Sequence, residues 1–245
     1  SSAPSDDQPL PSAVVLNLKR RPDRWESVKT SLQRLKGLQF ERVEAIDGAD
    51  LTQQIPNEVV ARTWSTAVNQ KYVSRVFEGG EEYGACDLPL TAGERGCAAS
   101  HVSLWKRCAA GSSPLLVLED DAKPKAGFMP RLRRALAEVG ALQDAPDVLY
   151  LGYTQAAPWR GSFGTMLKEA EYVWTTVAYL LWPSGARKLL TALPVNQPVD
   201  NFMAGLIASR RLRGFVVAPP LVDQAGEWNE SSDIAHSDEA AWANS

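Results

Sequence analysis

Leu115–Leu118 is an unbroken apolar run that ends in three acids, Glu119, Asp120 and Asp121. A short run of this kind reads as a buried strand. Adjacent like charges at its tip repel unless something neutralises or solvates them. Two readings follow from these residues. A hard divalent ion such as Mn2+ or Mg2+ takes oxygen ligands, often only one or two from protein, so acids at a strand tip suit a metal–diphosphate complex. The other reading is a solvated acidic turn in which Asp120 or Asp121 caps the next segment. In extended backbone alternate residues share a face, so Glu119 and Asp121 point one way and Asp120 the other. Asp121 is then the favoured metal ligand, with Glu119 or Asp120 acting directly or through water.

The rest of the chain alternates similar runs with helical stripes. Ala13–Leu18 predicts a strand, and Asp23 a cap for a helix striped by Trp25, Val28, Leu32 and Leu35 and ended by Gly37. The segment "FERVEAIDG" alternates as a strand up to an Asp-Gly turn. Trp64, Val68, Tyr72 and Val76 fall at helical spacing, and residues 77–89 read as a long loop. Thr91 and Glu94 have capping-box spacing at the start of a helix that Gly111 ends. Phe128, Leu132, Leu136 and Val139 mark another helix, and "DVLYLG" a strand. "YVWTTVAYLLW" predicts two short strands or one bent one. Helices are expected over Ser184–Leu193 and Asn201–Ser209, a strand at "GFVVAPP", and loops from Asp223 to Ser245. The alternation predicts an α/β fold with a mostly parallel central sheet flanked by helices. In such sheets ligands bind beyond the carboxyl ends of the strands, where the three acids lie.

With 245 residues, 44% of them hydrophobic, the chain suits one large α/β domain over residues 13–245 after a polar, proline-rich arm at 1–12. The 26 basic and 29 acidic residues leave a net charge of -3, without the basic footprint of a nucleic-acid binder. No apolar run approaches the roughly 20 residues of a membrane span. Cys86, Cys97 and Cys108 are too few for a disulfide framework and wrongly spaced for a zinc knuckle, so the redox compartment stays open. The chain does not begin with Met, which is compatible with an upstream segment.

Six segments occur in order: "VVLNLKRRPDRW", "RVEAIDG", "LTAGERGCAASHVSLW", "LLVLEDDA", "AYLLWPSGARKLL" and "PVDNFM". Together they closely resemble the family 25 glycosyltransferases, which include lipopolysaccharide galactosyltransferases and collagen hydroxylysine galactosyltransferases. The resemblance spans roughly residues 13–235. It implies a GT-A type fold and transfer of a sugar, most often galactose from UDP-galactose, with inversion at the anomeric carbon. It makes Glu119-Asp120-Asp121 the metal motif, with Mn2+ the expected ion. The acceptor stays open among a glycan, a lipid-linked sugar and hydroxylysine. The compartment stays open too, between a bacterial cytoplasm or membrane periphery and a eukaryotic secretory lumen.

Roles for other residues follow from the chemistry and the resemblance together. Asn17, Leu18, Arg20 and Arg24 match the opening motif, where backbone groups suit uracil and the arginines ribose or phosphate. The competing reading is a solvated basic loop with Arg24 paired to Asp23 or Glu26. Ala45, Ile46, Asp47 and Gly48 end the second strand at the same edge, where a nucleoside lies, and Asp120 is grouped with the donor site. Glu94 is grouped with the donor site as well, against the ordinary reading of a capping partner for Thr91. Ser100 and His101 lie mid-helix, His101 on a stripe with Cys97, Leu104 and Cys108, where a satisfied core histidine is the ordinary reading. The resemblance makes Ser100 and His101 supports for the metal strand or donor site. It also places Asp200 where the general base stands at the start of a helix; the alternative is an N-cap for a helix beginning at Asn201. Among Ser232, Asp233 and His236, His236 is the candidate late metal ligand, against a surface tail. Trp159, Trp174, Tyr179 and Trp182 either stack on sugar rings or fill the core. Two other functions stand beside the transferase. One is a divalent-metal phosphoryl-transfer domain, although neither the "DxDx[TV]" pattern nor a Walker A loop is present. The other is a binding protein that keeps the fold without catalysis.

Overall fold

The computed structural model of the chain describes residues 10–72 and 85–225. The first apolar run forms β1 (Ser12–Asn17), followed by α1 (Pro22–Gln33) and β2 (Phe40–Glu44). Two short strands, β3 (Thr63–Ser65) and β4 (Asp87–Pro89), precede the long α2 (Ala92–Ala110). The acid-tipped run is β5 (Leu115–Glu119), followed by β6 (Ala122–Pro124), α3 (Phe128–Gly140) and β7 (Val148–Gln155). Then come β8 (Gly161–Phe163), β9 (Leu167–Glu169), β10 (Val173–Leu181), α4 (Pro183–Thr191), α5 (Val199–Ala208), β11 (Gly214–Val217) and β12 (Val222–Gln224).

Eight strands form one sheet in the order β2-β1-β5-β10-β7-β11-β9-β8. The parallel pairing expected from the alternation holds for β2–β1, β1–β5 and β7–β11. The sheet as a whole is mixed, because β10 runs antiparallel to both β5 and β7. The connection explains the reversal. A parallel return needs a crossover, usually a helix, and between β7 and β10 the chain makes only β8 and β9. The start of β10 therefore lies at the same edge as the carboxyl ends of β1, β5 and β7.

Alternate residues of the central strands enter two different cores. Val14, Leu16, Val117, Tyr150 and Tyr179 pack with Trp105 of α2, Leu189 of α4 and Phe202 of α5. Ala13, Val15, Leu116, Leu118, Leu149 and Leu180 pack with Leu32 of α1 and Leu132 of α3. Because both faces are covered, the strands read as unbroken apolar runs rather than as alternation. Among the described residues no helix is long and apolar enough to cross a membrane.

Several local expectations change. Trp64 and Val68 do not share a helix: Trp64 is buried on β3 opposite Leu88 of β4, and Val68 is exposed in a single 3-10 turn. Tertiary pairing overrides the helical spacing there, and Val76 lies outside the described residues. The end of the expected loop at 77–89 is β4. Asp23 sits inside the first turn of α1, after Arg21 as cap and Pro22, and its carboxylate accepts from Arg21 at 2.8 Å. The segment from Val173 is one bent strand. The polar stretch after Leu221 begins with β12, which pairs with β6.

Candidate active site

The carboxyl edge of the sheet opens into a pocket of about 520 Å³. Leu18 and Arg20 line it from the β1–α1 turn, Arg24 from the first turn of α1, and Ala45, Ile46, Asp47 and Gly48 from the end of β2. Glu94, Ser100 and His101 line it from α2, the three acids from the tip of β5, and Asp200 from α5. Asn17 joins the site through Asp120. His236 lies outside the described residues. Trp159, Trp174, Tyr179 and Trp182 are not part of the lining; Tyr179 is fully buried and Trp159 packs edge-on against Tyr153. The aromatic residue that does line the pocket is Tyr153.

Each acid has its own partners. Strand geometry stops at Glu119, and Asp120 and Asp121 form a turn before β6. Asp120 turns toward β1 and α1: Asn17 Nδ2 donates to one of its oxygens at 2.6 Å and Arg24 Nη1 to the other at 3.0 Å. Arg24 thus pairs with Asp120 rather than with Asp23 or Glu26. Burial nevertheless holds the Asp120 carboxyl above its ordinary value, against the lowering by Asn17 and Arg24. Glu119 Oε1 accepts from Thr176 Oγ1 at 2.6 Å and faces His101 Nε2 at 3.2 Å. Burial pushes the Glu119 carboxyl up, but the hydrogen bonds from His101 and Thr176 bring it below the usual glutamate value. Asp121 accepts from Gln224 Nε2 at 2.9 Å through Oδ2, while its Oδ1 is buried without a hydrogen-bond partner among the described residues. Burial first, and the Glu119 charge second, raise the Asp121 carboxyl to about 7.

His101 is both a satisfied core histidine and a support for the site. Trp105 Nε1 donates to the Tyr179 hydroxyl at 3.2 Å, and that hydroxyl lies 2.8 Å from His101 Nδ1. Glu119 as a carboxylate only accepts, which fits the tautomer in which Nδ1 accepts from the Tyr179 hydroxyl. Nε2 then carries the imidazole proton and donates to Glu119. Ser100 Oγ accepts from Ile46 N at 2.8 Å and donates to Gly96 O at 2.7 Å, tying the end of β2 to α2. Gly48 and Gly96 meet backbone to backbone; a Cβ on Gly48 would come 1.7 Å from Ala92 O, and one on Gly96 2.5 Å from Gly48 N. Arg20 bonds Asp47 at 2.7 Å across the same loop. Thr91 and Glu94 make both bonds of the capping box.

Asp200 is not the cap of α5. Pro198 occupies that position and Asp200 lies in the first turn, because the helix begins at Val199, two residues before the expected start at Asn201. Its Oδ1 accepts from Asn201 N at 2.8 Å and its Oδ2 from Thr175 N at 3.2 Å. Thr175, Thr176 and Gln224 were not singled out in the sequence. The polar pair inside an apolar strand run was the available signal for the first two; Gln224 had none.

Buried polar atoms without a partner gather here. Among the described residues they are Asn17 Oδ1, Asp121 Oδ1, Tyr150 Oη and Thr175 Oγ1. Asp121 and Thr175 line the pocket, Asn17 holds Asp120, and Tyr150 is raised by burial and then by the Asp200 charge. Such atoms are rare in native proteins and each calls for a reason. An enclosed carboxylate oxygen with no donor fits a hard cation, so Asp121 and the neighbouring Glu119 are suitable ligands. Cys97 Sγ, His101 and Glu119 also offer atoms within 4.8 Å of one another. That trio suits a soft ion poorly: burial and then the nearby Glu119, Asp200 and Asp121 charges raise the thiol well above its ordinary value, and both imidazole nitrogens are engaged.

The model of glycosyltransferase family 25 (LPS biosynthesis protein) matches residues 11–203. The chain belongs to glycosyltransferase family 25. The family 25 match runs from β1 into α5 and includes Asp200, but stops short of Gln224. The α/β architecture, with its large mixed sheet flanked by helices, is that of a GT-A-like glycosyltransferase. The "Probable inactive glycosyltransferase 25 family member 3" of Bos taurus is 34% identical over 195 residues, covering 77% of this chain and 30% of that protein. The "Inactive glycosyltransferase 25 family member 3" of Homo sapiens is 34% identical over 197 residues, with the same coverage. The "Procollagen galactosyltransferase 1-B" of Xenopus laevis is 30% identical over 236 residues, covering 89% of this chain and 36% of that protein. The chain thus spans about a third of the length of these relatives.

Proposed function

We propose that this chain binds a UDP-sugar, with galactose the leading donor, through a divalent cation and transfers the sugar with inversion to an acceptor hydroxyl. One observation carries the reading: of three adjacent acids, Asp120 is bonded out on both oxygens, while Asp121 keeps a buried oxygen without a partner. The pocket is lined by Asp47, Glu94, Glu119, Asp120, Asp121, Asp200 and Asp223 against Arg20 and Arg24. An acidic wall of this kind repels a diphosphate unless a cation lies between them. Asp121 and Glu119 would hold that cation, with His236 a further candidate ligand. When bound, Mn2+ or Mg2+ would stabilise the negative charge that collects on the departing diphosphate.

The chain's own groups supply the rest. The β1–α1 turn and the Ala45–Gly48 loop form the wall for the nucleoside, and the arginines offer charge-assisted hydrogen bonds to ribose or phosphate. Asp200 takes the acceptor proton as the acceptor oxygen bonds the anomeric carbon and the bond from that carbon to the diphosphate breaks. The N–H bonds from Thr175 and Asn201 orient Asp200. The procollagen galactosyltransferase relative favours galactose and makes hydroxylysine the first acceptor class to try. The relatives named inactive favour a second reading, a family 25 fold that binds a sugar or partner without transfer.

Calorimetric titration with UDP, with and without Mn2+, tests the reading. UDP binding is expected to require Mn2+ and to weaken at least roughly tenfold in Asp121→Asn and in Arg24→Ala, each removing an interaction with a charged group. Metal-independent binding, or binding intact in both variants, overturns it. Asp200→Asn is expected to keep UDP affinity and to cut turnover about 10²–10⁴-fold. Hydrolysis of UDP-galactose compared with UDP-glucose and UDP-N-acetylglucosamine ranks the donors. Metal-dependent UDP binding with no turnover of any of them favours the second reading.

A further inference from the structure

Thr175 has a backbone φ of 73°. This left-handed region is uncommon outside glycine and an outlier for a β-branched residue. The pairing of β10 with β7 shifts register between Trp174 and Ala178, so the strand bulges here. Bulges of this kind re-aim side chains beside active sites. The bulge holds two acids that sit on different elements: Thr175 N donates to Asp200 Oδ2, and Thr176 Oγ1 donates to Glu119 Oε1. Glycine would adopt this backbone without strain. What threonine adds is a methyl and a hydroxyl, and the hydroxyl has no hydrogen-bond partner among the described residues. Thr175 lines the pocket. Rotation about χ1 exchanges hydroxyl and methyl without moving the backbone.

Strain at a binding site points to function when an observed outlier, not the function, starts the argument. We propose that Thr175 Oγ1 is a sugar-reading group, hydrogen-bonded to a ring hydroxyl of the transferred hexose between Asp200 and Glu119. The assignment rests on the UDP-sugar reading above and adds the residue that recognises the sugar. A site built to bond a hydroxyl discriminates strongly against a ligand that lacks it, because the buried protein group is then left unpaired.

The test is calorimetric titration of the full chain with UDP and with UDP-galactose in Mn2+. Thr175→Val keeps the β-branched shape and removes only the hydroxyl. It is expected to bind UDP as the wild type does and to lose the added affinity the sugar confers, roughly fivefold or more. Thr175→Ser is expected to restore that increment. Deoxygalactose analogues of the donor supply the cross-check: the one lacking the contacted hydroxyl weakens wild type but not Thr175→Val. Wild-type binding of UDP-galactose with no change in Thr175→Val overturns the assignment alone. Loss of UDP binding in both Thr175 variants makes the residue a purely structural one and overturns it too. Failure of the wild type to bind UDP overturns the proposed function, and this assignment with it.

Discussion

A carboxyl beside another carboxylate in a half-dry cleft resists ionisation, and Asp121 does so with Glu119 as its neighbour. The consequence for stability has a definite sign. The folded carboxyl titrates at about 7, against 3.8 in the unfolded chain, so the folded state holds the extra proton between those values. Its contribution is present below the unfolded value and lost as pH rises through about 7. One pKa unit corresponds to about 1.4 kcal/mol, so the loss is at most roughly 4 kcal/mol. Thermal unfolding in EDTA is therefore expected to show the wild type losing stability from pH 5 to pH 8 relative to Asp121→Asn, and Mn2+ to restore it at pH 8. Parallel pH profiles for the two proteins would count against the assignment. Extended-backbone alternation set Asp121 apart from Asp120, but the chain turns after Glu119, so alternation is not what separates them. The reason for the separation was not legible, because it comes from Asn17 and Arg24, about 100 residues earlier. Thr175 was hidden too, since its backbone angle depends on the register of a neighbouring strand.

At the scale of the element, the first half of α2 concentrates several jobs on about three turns. Thr91 and Glu94 close its end, Arg95 bonds the carbonyls of Ile55, Val60 and Ala61, Ser100 holds Ile46, and His101 holds Glu119. Gly96 lets the β2 loop approach so closely that no side chain fits between them. Gly96→Ala and Gly48→Ala are expected to cost roughly 1–3 kcal/mol by overpacking and to weaken UDP binding. Gly140→Ala, at the end of α3 with open space around its Cβ position, is expected to gain about 0.5–1 kcal/mol. Urea denaturation of the three variants checks the contrast; equal effects would mean that the close approach is not what glycine supplies here. The capping box was readable from spacing alone. The role of Gly96 was not, because a helical glycine reveals a close contact only once its neighbour, Gly48, is known.

At the scale of the molecule, β5 is the wall between two cores, with Val117 in one and Leu118 in the other. Val117→Ala and Leu118→Ala are each expected to destabilise, Leu118→Ala by about 2–5 kcal/mol, and each to keep a single transition. Far-UV circular dichroism and tryptophan fluorescence followed through the same urea titration check it; a biphasic curve would show that the two cores melt apart. The alternation of strands and helices made this layered arrangement legible, whereas the reversed β10 was not, since nothing in its composition records direction. The pairing of β1 with β5 has a consequence for how the protein comes into being. Ser12 meets Leu115 across that pairing, so the pocket joins stretches of chain made far apart in time, and contacts of long separation form slowly. A nascent or half-folded chain holds Arg24 and Asp120 on unconnected pieces. Assembly of the pocket thus works as a gauge of completed folding, unfinished until the last distant strand has found its place.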